Sequence, residues 1–115
     1  MDARLPAHLE VSGYIRMAEA QGGFGMVLSK GERDAGIILL LTTQRGESLT
    51  LWERMPQLNG ARPFCVAKQQ NDENKQEFSD YLARRGQQDP DIWIVELDIA
   101  DPERFIASLP SQAKC

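Results

Sequence analysis

Histidine is almost missing from this 115-residue chain: His8 stands alone, and cysteine occurs only at Cys65 and Cys115. A tetrahedral zinc site needs four nitrogen or sulfur ligands, so no Cys/His metal set can be assembled and none is expected. A Ser–His–Asp triad or a Cys–His pair would have to recruit His8, and no Gly-x-Ser-x-Gly elbow is present. A basic excess is lacking too: 13 Lys and Arg stand against 17 Asp and Glu, a net charge of −4. Binding to phosphates draws on a basic patch or stripe. Here the cations are scattered singly or in short pairs such as Arg84-Arg85, so neither nucleic acid nor an anionic membrane is an expected partner. Long apolar runs are absent as well. The longest, Ala35 to Leu41, has seven residues and is interrupted by Gly36, whereas a membrane span needs roughly 20. No apolar stretch follows a positive start in Met1-Asp2-Ala3-Arg4-Leu5-Pro6, so no secretory signal is expected and the reading is cytoplasmic.

What is present is a globular composition, 42% hydrophobic and 26% charged. The length suits one domain over residues 1–115, large enough to fold without a disulfide or structural metal, with 110–115 expected as a mobile tail. Cys65 lies in the apolar run Pro63-Phe64-Cys65-Val66-Ala67 and reads as a buried, inert thiol. Cys115 is the last residue and reads as part of the tail. Two free thiols, with no bridge between them, point to a reducing compartment.

Hydrophobic periodicity supplies the elements. Val11, Tyr14, Ile15 and Ala18 recur at helical spacing over Pro6–Ala20, and Gly22-Gly23 stops that helix. Phe24–Ser29 alternates around Phe24, Met26 and Leu28, which predicts a strand with one buried face. After the charged turn Lys30–Asp34, the run Gly36–Thr43 is apolar on both faces and predicts a central strand. Gln44–Glu47 turns the chain into a third strand, Ser48–Met55. Asn59-Gly60 is a hairpin signal, but Pro56 and Pro63 flank it, so a wide loop from 56 to 63 is expected before a fourth strand, Phe64–Lys68. Asn71–Asn74 opens a second helix, with Asn74 and Glu77 at capping-box spacing and Gly86 as its end. Asp89-Pro90-Asp91 turns into a fifth strand, Ile92–Leu97. Asp101-Pro102 starts a short helix ending near Leu109. The order α-β-β-β-β-α-β-α predicts an α+β fold: a mixed, mainly antiparallel five-stranded sheet, its first four strands a meander, with helices packed on it.

Asp89-Pro90-Asp91-Ile92-Trp93-Ile94-Val95-Glu96, following a helix that ends Tyr81-Leu82-Ala83-Arg84-Arg85, resembles a family of small uncharacterised bacterial proteins, largely alphaproteobacterial, classed as a domain of unknown function. Asp34-Ala35-Gly36 and Glu53-Arg54 fit the same pattern. The resemblance runs from the first helix to the fifth strand and implies no activity.

Other chemistry fails on order or charge. Gly22-Gly23-Phe24-Gly25 follows a helix and enters a strand, the reverse of a phosphate loop. The turn Gln69–Asn74 sits where acyltransferases grip the pyrophosphate of acetyl-CoA, yet it has no glycine and holds Asp72 and Glu73. No cofactor is expected. What survives is a candidate patch of Glu53, Arg54, Arg62, Glu96, Trp52 and Trp93, and a candidate loop of Lys30, Glu32, Arg33 and Asp34. Glu96 and Asp98 share one strand face and read first as the polar face of a strand end paired with arginines, and Asp89 and Asp91 as turn-formers. A charge within an apolar strand is costly unless paired, so Glu53, Arg54 and Glu96 are expected to form one cluster. The expected function is a non-catalytic protein-binding or regulatory module of the bacterial cytoplasm, acting through a sheet face or edge on a protein partner or as a homodimer. The alternative is a small hydrolase or isomerase using a Glu53, Arg54 and Glu96 cluster, since paired carboxylates can do acid–base work when one is held protonated.

Overall fold

In the computed structural model residues 5–109 and 115 are described. Of the expected tail, 110–115, residues 110–114 lie outside them. Three helices and five strands follow the expected order: α1 (Ala7–Ala20), β1 (Phe24–Ser29), β2 (Ile38–Gln44), β3 (Glu47–Arg54), β4 (Phe64–Gln69), α2 (Lys75–Gln88), β5 (Trp93–Asp98) and α3 (Pro102–Ala107). The fold is α+β, built on a mixed sheet ordered β1-β5-β2-β3-β4.

That order breaks the four-strand meander. β5 inserts between the first two strands, antiparallel to β1 and parallel to β2. Its Trp93-Ile94-Val95 run is buried on both faces, so the sheet centre is the place that suits it. Leu39 of β2 and Val95 of β5 are both at 0% exposure there. β1 and β4 become the edges.

Helices cover both sides. On one, α1 and α3 pack Val11, Tyr14, Phe105 and Ile106 against Leu40, Trp52, Val95 and Leu97. On the other, α2 packs Phe78 on Leu39, Leu41, Leu51 and Ile94. Gly86 does not stop α2, which runs to Gln88. It faces the sheet instead, where an added Cβ would already lie 3.7 Å from Ile94. The Asn74–Glu77 capping box does not form either. Asn74 accepts from the Asn71 amide and donates to the Gln69 carbonyl, while Glu77 pairs with Lys68 at 2.6 Å. The start of α3 behaves as expected, with the Asp101 carboxylate accepting from the Arg104 amide at 3.2 Å.

Two expectations are overturned, the buried face of β1 and the free thiol of Cys65, although Cys65 is buried as expected at 7% exposure. Phe24, Met26 and Leu28 do not point into the core. All three are exposed, and Gly25 and Ser29 are the less exposed positions. Because β1 is an edge strand, α1 covers only its Gly25 side, where a Cβ would meet the side chains of Leu97 and Ile15 at 2.8 and 3.0 Å. The helix can come that close only over glycine. Cys65 is not a free thiol. It is bonded to Cys115, with Cα atoms 5.6 Å apart. An edge strand is reachable from outside the sheet, so a residue in an apolar run there can still meet the chain's last residue. The argument for a reducing compartment from two free thiols falls with that bridge.

Candidate functional site

Arg54 ends β3 on the α1 side and is the centre of a tight polar group. Its guanidinium donates to the Glu10 carboxylate at 3.0 Å, the Tyr14 hydroxyl at 2.8 Å and the Arg62 carbonyl at 2.8 Å. It also lies over the Phe64 ring, 4.3 Å from the centroid. Burial pushes the Tyr14 phenol up to about 12, with Arg54 opposing and Glu10 reinforcing the shift. Neighbouring side chains of a strand point to opposite faces. Glu53 therefore faces α2, where Arg85 grips it with two hydrogen bonds of 2.7 and 3.1 Å. The bond to Glu53 raises Arg85 above its ordinary value, against a smaller opposing effect of burial.

Glu96 joins neither group. It sits on β5 opposite Met26 and Leu41, with β2 between its strand and β3. The expected Glu53–Arg54–Glu96 cluster is thus not assembled. Arg54 faces α1, Glu53 faces α2, and Glu96 lies two strands away. A cleft of about 650 Å³ does bring Glu53, Arg54 and Arg62 to one rim with Glu10 and Asp34, walled by Pro6, Ile37 and Pro56. That is a volume a small ligand could fill, but Arg54 and Glu53 are already engaged in the pairs just described. Trp52 and Trp93, the aromatic members of the candidate patch, are core residues at 8% and 4% exposure and offer no exposed anchor beside Arg54. Their indole N–H groups are spent on the Thr42 hydroxyl and the Glu32 carbonyl.

The charged loop is architectural. Its Arg33 and Asp34 carbonyls accept from the His8 and Ala7 amides, the orphan donors at the start of α1, which has no side-chain cap. The Glu32 carboxylate accepts from the Asp34 and Ala35 amides. The Glu32 amide donates to the Asp91 carbonyl at 3.0 Å. Gly36 presses on that same carbonyl, where no Cβ would fit. Asp34-Ala35-Gly36 and Asp91-Ile92-Trp93 therefore form one junction between α1 and the start of β5. Lys30 is exposed, one residue past the end of β1.

The surface missed from sequence is the outer side of β1. Phe24, Met26, Val27 and Leu28 are 52%, 48%, 40% and 47% exposed, Phe24 and Met26 on one face of the strand and Val27 on the other, with no charge in the strand. A register shift between Val27 and Ser29 bulges the strand at Leu28, leaving Phe24–Val27 as its regular part. Phe24 lies beside Asp98 and Met26 beside Glu96 on the adjoining strand. The Asp98 carboxylate accepts from the Arg45 amide. Among the described residues no group of His, Cys, Asp and Glu could hold a metal ion.

A family model described as a protein of unknown function, DUF1491, matches residues 5–107. The crystal structure of a DUF1491 family protein from Caulobacter crescentus CB15 is similar over 96% of this chain and 100% of its own, with 28% identity and a TM-score of 0.79. The NMR structure of a DUF1491 family protein from the same organism gives 28% identity, 96% and 97% coverage, and 0.75. The solution structure of a protein from A. tumefaciens gives 27%, with 97% and 99% covered, and 0.72. No curated protein matches this chain. Both organisms are alphaproteobacteria, in keeping with the resemblance carried by the Asp89–Glu96 segment. This chain belongs to the DUF1491 family of proteins of unknown function.

Proposed function

We propose that this protein is a non-catalytic protein-binding module whose working surface is the β1 edge, and that the partner adds an extended segment to the sheet there. The observation that carries the reading is the row of exposed Phe24, Met26, Val27 and Leu28 on an outer strand. Outer strands offer unpaired amide and carbonyl groups, and proteins that leave them unused blunt them with lysine, proline or inward charges. Phe24–Ser29 contains none of these; its one such feature is the bulge at Leu28. Apolar side chains gathered on such an edge mark an interaction site. The opposite edge differs. β4 carries Lys68, a single well-exposed hydrophobe in Val66, and the bridge to Cys115.

Strand addition takes affinity from main-chain hydrogen bonds and specificity from alternate side chains. The test is selection of peptides from a random displayed library, followed by affinity measurement on the wild type and a Phe24→Ser/Met26→Ser double variant. Both positions are exposed, so the variant should fold. The expected result is a family of alternating, extended sequences that bind the variant at least 10-fold more weakly. Enrichment of no family, or binding that survives the double substitution, overturns the reading.

A further inference from the structure

We infer that the segment received by β1 is basic, alternating Lys or Arg with apolar residues so that the cations cover Phe24 and Met26 and reach the acids behind them. This rests on the strand-addition reading above and specifies its partner. The register sets Phe24 against Asp98 and Met26 against Glu96, so each exposed apolar side chain is backed by a carboxylate on the same face. Both carboxylates are only half-buried. No hydrogen bond or ion pair engages the Glu96 side chain among the described residues, whereas Asp98 accepts from the Arg45 amide. α2 packs over β2, β3 and the Ile94 end of β5, which leaves the Phe24–Met26 end of that face open.

A strand added to β1 would stand two strand spacings from β5, about 10 Å from Glu96. That distance suits a long cationic side chain. The methylenes of Lys or Arg lie along apolar surface while the charged head travels beyond it, here across Met26 towards Glu96. A short apolar residue at that position would cover Met26 and leave the carboxylate unanswered. A glutamate would face it. On the other face, the partner residue meets Val27, which has no acid paired beside it: its register neighbour is Val95. The recognition pattern is therefore cation on the Phe24–Met26 face and aliphatic on the Val27 face, in strict alternation. A second copy of β1 would bring no cation to that face, since Phe24–Ser29 holds none.

The experiment uses three acetylated, amidated seven-residue peptides, alternating Val with Lys, with Gln and with Glu, titrated into the whole chain and into Glu96→Gln. The Lys peptide should bind at least 10-fold more tightly than the Glu peptide at low salt. Its advantage should shrink several-fold in Glu96→Gln and fall as salt rises. Equal binding of all three overturns the charge inference while leaving the edge reading intact. Binding of none overturns the edge reading itself. Sedimentation showing a dimer abolished by Phe24→Ser/Met26→Ser would place a second copy on the edge and overturn both.

Discussion

Arg54 is the centre of one polar group, binding Glu10, Tyr14 and the Arg62 carbonyl at once. Removing it takes from Glu10, itself only 21% exposed, its ion-pair partner among the described residues and strips the face of Phe64. Hydrogen bonds to charged groups contribute more than neutral ones, so Arg54→Ala should cost about 2 kcal/mol in a urea melt, against about 0.5 kcal/mol for an ordinary surface change. Tyr14 offers a second test through pH. Its phenol ionises near 12 in the folded chain and at an ordinary 10.0 once unfolded. The raised value means that the protonated phenol supports the fold fully below pH 10, and that support is lost as pH climbs towards 12. The loss should be roughly 3 kcal/mol across that window. Denaturant melts at stepped alkaline pH should show the decline, and Tyr14→Phe should flatten it. The pair was half legible in sequence: Arg54 stood out as a charge in an apolar strand, but its partners, 44 and 40 positions earlier, are set by where α1 docks.

At the scale of elements, apolar spacing together with cap and turn residues located every helix and strand, because those signals are local. They could not say which strands lie at the edges. The alternation in Phe24–Ser29 is that of a half-buried strand, and the inference to a buried face assumed neighbours on both sides. β5 takes the inner place through contacts with β2 that no local pattern reveals. The same non-locality hid the role of Glu32. A hairpin tip of mixed charge looks like solvated surface, yet this loop feeds carbonyls to α1 and holds β5 by the Trp93 indole. Glu32→Ala should cost about 1 kcal/mol, with faster hydrogen exchange at the Ala7 and His8 amides. Unchanged exchange there would remove the loop's capping role. Leu39 is the simplest case, since a central β2 was readable from its two-sided apolar run. Leu39→Ala should cost about 2–5 kcal/mol through lost burial and a residual cavity.

For the whole molecule, the bridge between Cys65 and Cys115 ties the last residue to the β4 edge across 50 positions. Closing a loop of that size restricts the unfolded chain, so reduction should lower stability by about 2–4 kcal/mol. Thermal melts with and without a dithiol reductant, paired with non-reducing peptide mapping, measure this directly. Identical melts would show the two cysteines to be unlinked. With the Cys65–Cys115 bridge on β4 and helices packed on both faces, β1 is the edge on which the proposed strand addition depends. The most direct measurement is the NMR spectrum of the whole chain bound to the alternating Lys–Val peptide. Cross-strand contacts should run between peptide α protons and the Phe24–Val27 backbone, with Met26 and Glu96 shifting and the Arg54 cleft silent. Contacts confined to that cleft or to β4 would contradict the account.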